Sequence, residues 1–318
     1  MNSSKLRIGL DVSGGDKAPG CNLEGAMSAV QQYGNRFDVV LFGDRNIIIP
    51  FLDQKGNSHE FEIVHAPEVV EMGDHPVKAL QSKAQSSIRV GLEWLKTGKI
   101  DAFASAGNSG AVLVGSTSIV GNADGVLRPC IATFIPRPMG GQNLLLDIGL
   151  NVDCKPEHLQ QFAYIGTHFL NRVHGNPSPQ VGLLNIGHEA GKGNQLARAA
   201  FDRLATDETL PFIGNVESRD IFTDRCDVFV TDGFTGNMLL KQAEAVYRVM
   251  LKRNLMDEYF ARFNYEDYGG TPVLGINKTV ILGHGISSSK AIHNMLVEAE
   301  RMSRSNFCDT LNRTLHHG

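Results

Sequence analysis

Short apolar runs alternate with amphipathic segments along the chain, which predicts strands that alternate with helices. The predicted strands are Leu6–Asp11, Phe37–Phe42, Phe61–Ala66, Ile100–Ala104, Pro129–Ile135, Asn143–Asp147, Val181–Asn185, Val228–Thr231 and Val280–Leu282. The predicted helices are Asn22–Tyr33, a short one after Asp44, Ala79–Lys96, one from Ser109 or Gly110, Glu157–Val173, Gln195–Leu204, one from Met238, and Ala291–Arg301. This alternation predicts an α/β fold with a largely parallel sheet and helices on both faces.

Two regions depart from that rhythm. Pro129–Ile135 and Asn143–Asp147 flank the turn Pro136–Gly141, which indicates a hairpin. A helical excursion is predicted near residues 239–267, within what we treat as a single domain over residues 1–318. Its apolar positions recur at near-helical spacing at Leu239, Ala243, Val246 and Met250, and then at Leu255, Tyr259 and Phe263.

Loops rich in small and polar residues follow many of the predicted strands. Ser105–Gly110 has so few side chains that backbone N–H groups can converge on a phosphate or an oxyanion, and the next helix adds partial positive charge. The alternative is a plain strand-to-helix turn in which glycine supplies only tight geometry. Because ligands of parallel sheets bind beyond the carboxyl ends of strands, we expect one polar site there. Its candidates are Asp11, Gly14, Gly15, Ser105, Gly107, Asn108, Ser109, Gly110, Asn151, Asp153, Asn185, Gly187, Glu189, Asp232, Thr235, Gly236, Asn237 and His284.

Some polar side chains in these loops suit contact with an anion. Lys192 lies in a glycine-flanked loop, where an ammonium group can bind phosphate, or it is a solvated surface lysine. His284 lies between two glycines, so nothing adjacent in sequence packs its ring; a structural histidine is the alternative. Asp232 follows an apolar strand and either caps the next turn or orients His284 or a ligand. Asn108 and Asn237 are neutral donors, although Asn is also common in turns.

Composition narrows the classes of function. The chain is 42% hydrophobic and 20% charged, which allows a sizeable core. Its formal net charge of −4 gives no general attraction to nucleic acid or anionic membranes, so no nucleic-acid partner is expected. The scattered cysteines argue against a disulfide framework or zinc site and fit a reducing cytoplasm. The sequence signals no metal or organic cofactor and no membrane-spanning run, and His316 and His317 are given no role.

A serine-dependent mechanism is an alternative. Gly107–Ala111 differs by one residue from the G-x-S-x-G nucleophile elbow, with Ala111 in place of the last glycine. Ser109, Asp232 and His284 follow in the order used by α/β hydrolases, so a serine-dependent hydrolase or acyltransferase is possible if Ser109 reaches His284. A nicotinamide dehydrogenase is less favoured, because no G-x-G-x-x-G follows the first strand.

Taken together, several motifs resemble one known family. They are DVSGGDKAP (Asp11–Pro19), SAGNSGA (Ser105–Ala111), LLLDIGLNVDCKPEHL (Leu144–Leu159), LLNIGHEAGKG (Leu183–Gly193), VTDGFTGNMLLK (Val230–Lys241) and YGGTPVLGINKTVILGHG (Tyr268–Gly285). They cover nearly the whole chain in the family's order. On these motifs the chain is identified as a member of the acyl-acyl carrier protein:phosphate acyltransferases of bacterial phospholipid synthesis.

The resemblance implies a reaction, a fold and a set of partners. Inorganic phosphate attacks a long-chain acyl thioester of acyl carrier protein, which gives an acyl phosphate for phosphatidic acid synthesis and free carrier. The implied fold is a three-layer α/β/α sandwich, similar to isocitrate and isopropylmalate dehydrogenases and to phosphotransacetylase, in a homodimer without metal or organic cofactor. A membrane glycerol-3-phosphate acyltransferase would use the product, so we expect a cytoplasmic protein, peripheral at the inner face of the membrane at most.

The resemblance also carries over site residues from the matching motifs. It implies catalytic roles for His284, Asp232, Lys192 and Asn237, and substrate or phosphate contacts for the other strand-end candidates except Asp153. The chemistry agrees, because phosphate has a second pKa of ~6–7, so much of it is already a dianion at neutral pH and needs little general-base help. The protein must instead hold the anion and neutralise the oxyanion that forms at the thioester carbonyl.

Some positions depart from the family pattern. Ser13 stands where the family usually has Met, and Leu150 replaces a small residue, which would narrow the acyl or phosphate pocket. Met250–Asp267 looks shorter than the family's helical hairpin, which is linked to dimer contact and membrane attachment. This shortening weakens the case for membrane association.

The cations of the helical excursion near residues 239–267 are Lys241, Arg248, Lys252 and Arg253. The simplest interpretation is a helix packed on the core or a partner subunit; alternatives are docking of the acidic carrier and contact with an anionic membrane. We expect a dimer-forming helix whose basic residues receive the carrier.

Overall fold

The fold is described from a computed structural model, over residues 5–57 and 60–315, so His316 and His317 lie outside the described residues. The strands are β1 (Leu6–Asp11), β2 (Phe37–Gly43), β3 (Glu62–His65), β4 (Ala102–Ser105), β5 (Cys130–Pro136), β6 (Gln142–Leu146), β7 (Val181–Leu184), β8 (Phe212–Val216), β9 (Val228–Val230), β10 (Thr271–Leu274) and β11 (Thr279–Leu282). The helices are α1 (Gly20–Tyr33), α2 (Arg45–Gln54), α3 (Pro76–Ser82), α4 (Ser87–Lys96), α5 (Ser109–Gly115), α6 (Pro156–His174), α7 (Gln195–Ala205), α8 (Gly233–Lys252), α9 (Glu258–Ala261), α10 (Tyr265–Tyr268), α11 (Ser289–Arg304) and α12 (Phe307–Leu315). A π-helical turn covers Ser116–Val120 and a 3₁₀ turn covers Ser218–Phe222.

The chain divides into two compact units. The first holds the chain up to Ala123 together with Tyr265–Asp309, and the second holds Asp124–Asn264 together with the chain from Thr310. The chain therefore leaves the first unit at Asp124, returns to it at Tyr265 and re-enters the second at Thr310. The prediction of one domain over the whole chain stays a prediction.

The first unit is built on strands in the order β3-β2-β1-β4-β11-β10. Neighbours pair in parallel except β10, which runs antiparallel to β11. Helices α1 and α11 pack on each other, and α11 also packs on β1, β4 and β11, whereas α4 packs on β1, β2 and β4. The strands are buried and mostly apolar, as expected for a parallel sheet covered on both faces.

The second unit repeats this arrangement with strands in the order β5-β6-β9-β7-β8. The predicted hairpin is confirmed, because β5 and β6 pair antiparallel, and the other neighbours pair in parallel. Helix α6 packs on β6, β9 and α7, while α8 and the 3₁₀ turn also contact β6. The predicted fold class, an α/β fold with a largely parallel sheet and helices on both faces, is therefore confirmed within each unit.

The single helix predicted over Ala79–Lys96 is wrong, because two helices, α3 and α4, occupy that stretch. Between them, Lys83 Nζ donates to the carbonyl oxygen of Val69 at 2.7 Å, and the backbone N–H of Gln85 donates to Glu68 Oε2 at 2.6 Å. These bonds hold the connection against a segment more than ten residues earlier in the chain. Helical periodicity cannot report such contacts, so the break was not visible in the sequence.

Other boundaries also differ from the predictions. Helix α8 begins at Gly233 rather than at Met238, because Asp232 caps it, and α1 begins at Gly20 rather than at Asn22. Strands β8 and β10 were not predicted. The apolar periodicity after residue 250 does not continue α8, since the helix ends at Lys252 and Asn254 adopts a left-handed φ of 54°. Within the described ranges, no helix combines the length and the apolar character needed to cross a membrane.

Close packing between α4 and β4 leads to a stability prediction. A Cβ at Gly91 would lie 2.0 Å from Cε2 of the buried Phe103 ring. We expect Gly91→Ala to lower the free energy of unfolding by about 1–3 kcal/mol, because overpacking outweighs the gain of about 0.5–1 kcal/mol in helix propensity. Urea unfolding measures the change. Gly20→Ala, whose Cβ would meet nothing within 4 Å, is the control, and equal stability of the two variants would contradict the packing argument.

Candidate active site

In the first unit, a buried carboxylate organises the loop that follows β1. Asp11 Oδ1 accepts hydrogen bonds from the backbone N–H groups of Ser13 at 3.0 Å and Gly14 at 3.1 Å. Its Oδ2 accepts from the Ser105 hydroxyl at 2.7 Å, which ties this loop to the end of β4. Burial raises the pKa of Asp11, and hydrogen bonds from Ser87 and Ser105 oppose that rise. Asp11 thus holds two strand ends together and does not project into solvent.

The same loop is held from the other side by Asn22. Its buried side-chain amide donates to the carbonyl oxygens of Asp11 at 3.2 Å, Val12 at 2.9 Å and Gly14 at 2.8 Å. Asn22 was not among the predicted site residues. The sequence offers only a weak signal for it, because Asn22 is a single polar residue among the apolar positions of α1. The sequence alone does not show that its amide reaches the loop after β1.

Asn108 shapes the start of α5. Its Oδ1 accepts from the N–H of Ala111 at 2.9 Å, and its Nδ2 donates to the carbonyl oxygens of Glu71 at 2.9 Å and Asp74 at 3.1 Å. The amide group is therefore engaged with the protein itself. Next to it, Ser109 is exposed as the first residue of α5.

Glycines allow the loops of the first unit to approach closely. A Cβ at Gly14 would lie 2.6 Å from the Cα of Gly107, and Gly15 has a φ of +102°. Such contacts and conformations exclude ordinary side chains. The N–H of Asp16 also donates to the carbonyl oxygen of Gly285 at 2.7 Å, so the loop that carries His284 joins the group.

His284 is exposed at the end of β11. The N–H of Ile286 donates to its Nδ1 at 3.4 Å, and its ring centroid lies 5.5 Å from that of Tyr265. The ring is thus oriented on one side, and this geometry leaves Nε2 as the nitrogen that can meet a ligand.

In the second unit, Asp147 has the role that Asp11 has in the first. Its Oδ1 accepts from the N–H of Ile131 at 3.0 Å, and its Oδ2 accepts from the backbone N–H of Asn151 at 2.6 Å and from the Asn151 amide at 3.0 Å. The Asn151 amide also donates to the carbonyl oxygen of Pro129 at 2.8 Å. Burial raises the pKa of Asp147, and the hydrogen bonds that its carboxylate accepts from Ile131 and Asn151 oppose that rise. Asp147 was missed as a site residue, although it follows an apolar strand as Asp11 does.

The start of α8 packs directly on that loop. Asp232 caps the helix, since its carboxylate accepts from the N–H of Thr235 at 2.8 Å and from the Thr235 hydroxyl at 2.9 Å. A Cβ at Gly236 would lie 1.9 Å from the carbonyl oxygen of Asp147, so only glycine fits there. Asn237, one residue further, is exposed. The capping interpretation of Asp232 is therefore confirmed.

An amide pair fixes the loop between β7 and α7. The Asn185 amide donates to the carbonyl oxygen of Lys192 at 3.1 Å and to Oδ1 of the buried Asn215 at 3.1 Å. Asn215 in turn donates to the carbonyl oxygen of Glu189 at 2.8 Å. Gly193 has a φ of +93°, and a Cβ there would lie 2.3 Å from Asn185 Oδ1. Asn215 was missed, because β8 was not predicted.

The charged side chains of this loop point outward. The Lys192 side chain is 50% exposed and that of Glu189 is 71% exposed, with 4.0 Å between Nζ and Oε1. A pair this exposed contributes little to stability. Lys192 is therefore held by its backbone while its ammonium group remains available to a ligand. Gly187 completes the turn, since a Cβ there would lie 2.8 Å from Glu189 Oε2.

A cavity of 470 Å³ lies within the second unit where α7 and α8 begin. Its polar lining residues are Asn185, Asn194, Glu217, Ser218, Thr231, Asp232 and Thr235. Its apolar lining residues include Leu159, Leu184, Ile186, Leu196 and Leu239. Two helix N-termini that meet at one cavity provide partial positive charge there. Among the residues that the structure describes, no group of His, Cys, Asp and Glu is placed to hold a metal ion.

The predicted site residues divide between the two units. Those of the first unit are Asp11, Gly14, Gly15, Ser105, Gly107, Asn108, Ser109, Gly110 and His284. Those of the second unit are Asn151, Asp153, Asn185, Gly187, Glu189, Lys192, Asp232, Thr235, Gly236 and Asn237. In each unit they lie at or beyond the carboxyl ends of strands. Many shape the loops, whereas Ser109, Lys192, Asn237 and His284 expose side chains that could contact a ligand.

Comparison with solved structures defines the class of fold. A phosphotransacetylase from Streptococcus pyogenes aligns with a TM-score of 0.66 at 15% identity, over 95% of each chain. A branched-chain phosphotransacylase from Enterococcus faecalis V583 aligns with a TM-score of 0.66 at 14% identity, over 94% of this chain and 99% of the other. The chain therefore has the α/β fold of the phosphotransacetylases.

Sequence comparison then gives the family. The model of the family described as "Fatty acid synthesis protein" matches residues 6–310, and the chain belongs to this family. Its relatives named "Phosphate acyltransferase" include one from Clostridioides difficile (strain 630), 37% identical over 97% of this chain and 96% of its own. Another, from Desulforamulus reducens, is 40% identical over 98% of both chains. The family predicted from the motifs is confirmed, and it is a family of acyltransferases.

Proposed function

We propose that this protein transfers a long-chain fatty acyl group from acyl carrier protein to inorganic phosphate, which gives an acyl phosphate for phospholipid synthesis. The family match over residues 6–310, with relatives named phosphate acyltransferase, carries the proposal. The geometry agrees with it, because the strand-end loops present small residues, helix N-termini and a few exposed polar groups, as a site for an anion requires.

The proposed reaction is direct attack. A phosphate oxygen bonds to the thioester carbon, the carbon–sulfur bond breaks, and the leaving thiolate takes up a proton. We assign binding of the phosphate anion to the exposed ammonium group of Lys192. His284 either stabilises the developing charge or protonates the leaving thiolate. Asn237 is a neutral donor, and Asp232 acts by holding the start of α8, on which Asn237 lies. No step requires a metal or organic cofactor.

The buried network supports these assignments. Asp11, Asn22, Asp147 and Asn151 direct their polar atoms into the loops themselves. Loops fixed in this way hold N–H groups in place before the substrate arrives, so they need little reorganisation during the reaction. We propose the other strand-end candidates as parts of this framework.

One observation weighs against the serine-dependent alternative. In a nucleophile elbow, the serine stands on a sharp, strained strand-to-helix turn. Ser109 is instead the first residue of α5, and the described non-glycine residues with positive φ are Asn254 and Asn306. Ser109 therefore resembles an ordinary helix-start residue.

Direct attack predicts a small effect of Ser109→Ala. The variant should lose at most one hydrogen bond to substrate, about 0.5–1.5 kcal/mol, and keep most of its activity. Protein is incubated with acyl-carrier thioester with and without phosphate, and acyl phosphate is measured by mass spectrometry. The expected product forms only with phosphate.

Other outcomes would overturn this proposal. A loss of ~10⁴-fold in Ser109→Ala, or an acyl group trapped on Ser109, would indicate a covalent intermediate. Free fatty acid released equally with and without phosphate would indicate a hydrolase. Carrier binding without turnover would indicate a scaffold.

The two charged candidates should affect different kinetic constants. Lys192→Ala should raise the KM for phosphate more than the KM for thioester, because Lys192 is proposed to hold the anion. His284→Ala should lower kcat, since its role lies in the transition state. Arg198→Ala, which removes an exposed cation on the following helix α7, is the control for Lys192. Equal effects of both variants on both substrates would contradict these roles.

We also propose homodimer formation through α8 and docking of the carrier on it. The helix buries Gly233 and Gly236, whereas Phe234 is 60% exposed, Met238 57% and Leu251 51%. Such exposed apolar side chains suit a partner surface. The product would pass to a membrane glycerol-3-phosphate acyltransferase, which fits a cytoplasmic protein that works near the membrane.

Carrier docking predicts a charge effect at the end of α8. Arg248 and Lys252 are exposed and make no ion pair with any residue in the described ranges, so they can attract an acidic carrier. Arg248→Glu with Lys252→Glu should weaken use of the carrier thioester and reduce the salt dependence of the rate. Light scattering should show an unchanged dimer.

A double variant with the same change in charge is the matched control. Arg172→Glu with Arg198→Glu reverses exposed charges on α6 and α7 instead. Docking at the end of α8 is wrong if the two double variants use the carrier thioester equally well at low and moderate salt.

A further inference from the structure

We infer that the acyl chain of the substrate lies in an apolar cavity between α8 and the β5–β6 hairpin, bordered on one side by aromatic side chains of the segment after α8. This inference rests on the proposed function and adds where the tail binds. The cavity has a volume of 460 Å³, within the range of about 300–1,000 Å³ of small-molecule sites. Ile135 and Leu145 line it from the strands, and Leu239, Ala243 and Val246 line it from α8.

A cluster of rings forms the aromatic wall of this cavity. Tyr259 and Phe260 come from α9, and Phe263 follows it. The Phe263 ring centroid lies 5.3 Å from that of Tyr259 and 6.4 Å from that of Phe222 on the 3₁₀ turn. Packed rings of this kind make a firm apolar surface, as an alkyl chain requires.

Hydrogen bonds attach the aromatic wall to the hairpin. The Tyr259 hydroxyl donates to the carbonyl oxygen of Pro136 at 3.2 Å, and Arg262 Nη1 donates to the carbonyl oxygen of Arg137 at 2.8 Å. Arg262 also donates to the carbonyl oxygen of Gly141. The polar atoms therefore bond to the hairpin while the rings line the cavity, so the cavity exists before a ligand enters.

The apolar cavity adjoins the polar cavity described above. Ser218 and Leu239 line both. The polar cavity contains Asp232 and Thr235 at the start of α8, whereas the apolar one extends along the next turns of the same helix. A ligand that fills both must join a polar head to a long apolar tail, as an acyl thioester or acyl phosphate does.

A charge on the cavity wall tests the inference. Val246 is 44% exposed and lines the cavity, so Val246→Asp should fold and should draw water into the tail site. Each buried methylene contributes about a fourfold factor, so displacing about two of them should lower kcat/KM for the hexadecanoyl carrier thioester by roughly fifteenfold. The hexanoyl thioester should change little.

Val249→Asp is the matched control, because Val249 is 53% exposed on the same helix but lies outside the cavity lining. It should leave the ratio of hexadecanoyl to hexanoyl activity unchanged. The inference would be overturned if Val246→Asp lost kcat/KM equally for the hexadecanoyl and hexanoyl thioesters. It would also be overturned if both variants had the same ratio of hexadecanoyl to hexanoyl activity. A change from dimer to monomer in Val246→Asp would overturn it too, since that would indicate a subunit contact instead.

A second pair of variants tests the volume. Ala243→Phe should fill the cavity and shift preference toward short chains, whereas Ala245→Phe, an exposed residue outside the lining, should not. Calorimetric binding of hexadecanoate and hexanoate provides a test without turnover. Failure to form acyl phosphate from either thioester would overturn the proposed function alone. Hexadecanoate that binds wild type and Val246→Asp equally would overturn the cavity assignment alone.

Discussion

The loops of this protein depend on carboxylates buried at strand ends. Asp11 ends the apolar strand β1 and Asp147 directly follows β6; both are fully buried, where an unpaired charge would be strongly unfavourable. Each is stabilised because backbone N–H groups of the following loop turn toward it. The carboxylate therefore fixes the loop, and the loop makes burial of the carboxylate possible.

This constraint separates framework residues from residues that can meet a ligand. Side-chain amides such as Asn22 and Asn151 bond to loop carbonyl oxygens, and Asp232 caps α8. Glycine is required where a helix approaches a loop, as at Gly236. Exposed groups such as Lys192 remain available to a ligand, because other residues hold the backbone of the loop.

Helix α8 connects the polar and apolar parts of the second unit. Its first turn lies on the Asp147 loop and borders the polar cavity, and its next turns line the apolar cavity. Because a helix is rigid over this length, the spacing between the two cavities is fixed. A substrate with a reactive head and an apolar tail would thus be positioned by one element.

The sequence by itself determined the α/β class, the β5–β6 hairpin and the family, since these depend on local periodicity and on motifs contiguous in the chain. It also placed the loops that carry the candidate site residues at strand ends. Only the tertiary structure decided which polar residues are framework: the bonds of Asn22, Asn215 and Asp147 join positions that only folding brings together. The break before α4 and the aromatic wall around Phe263 have the same origin, because contacts with distant segments override local helical periodicity.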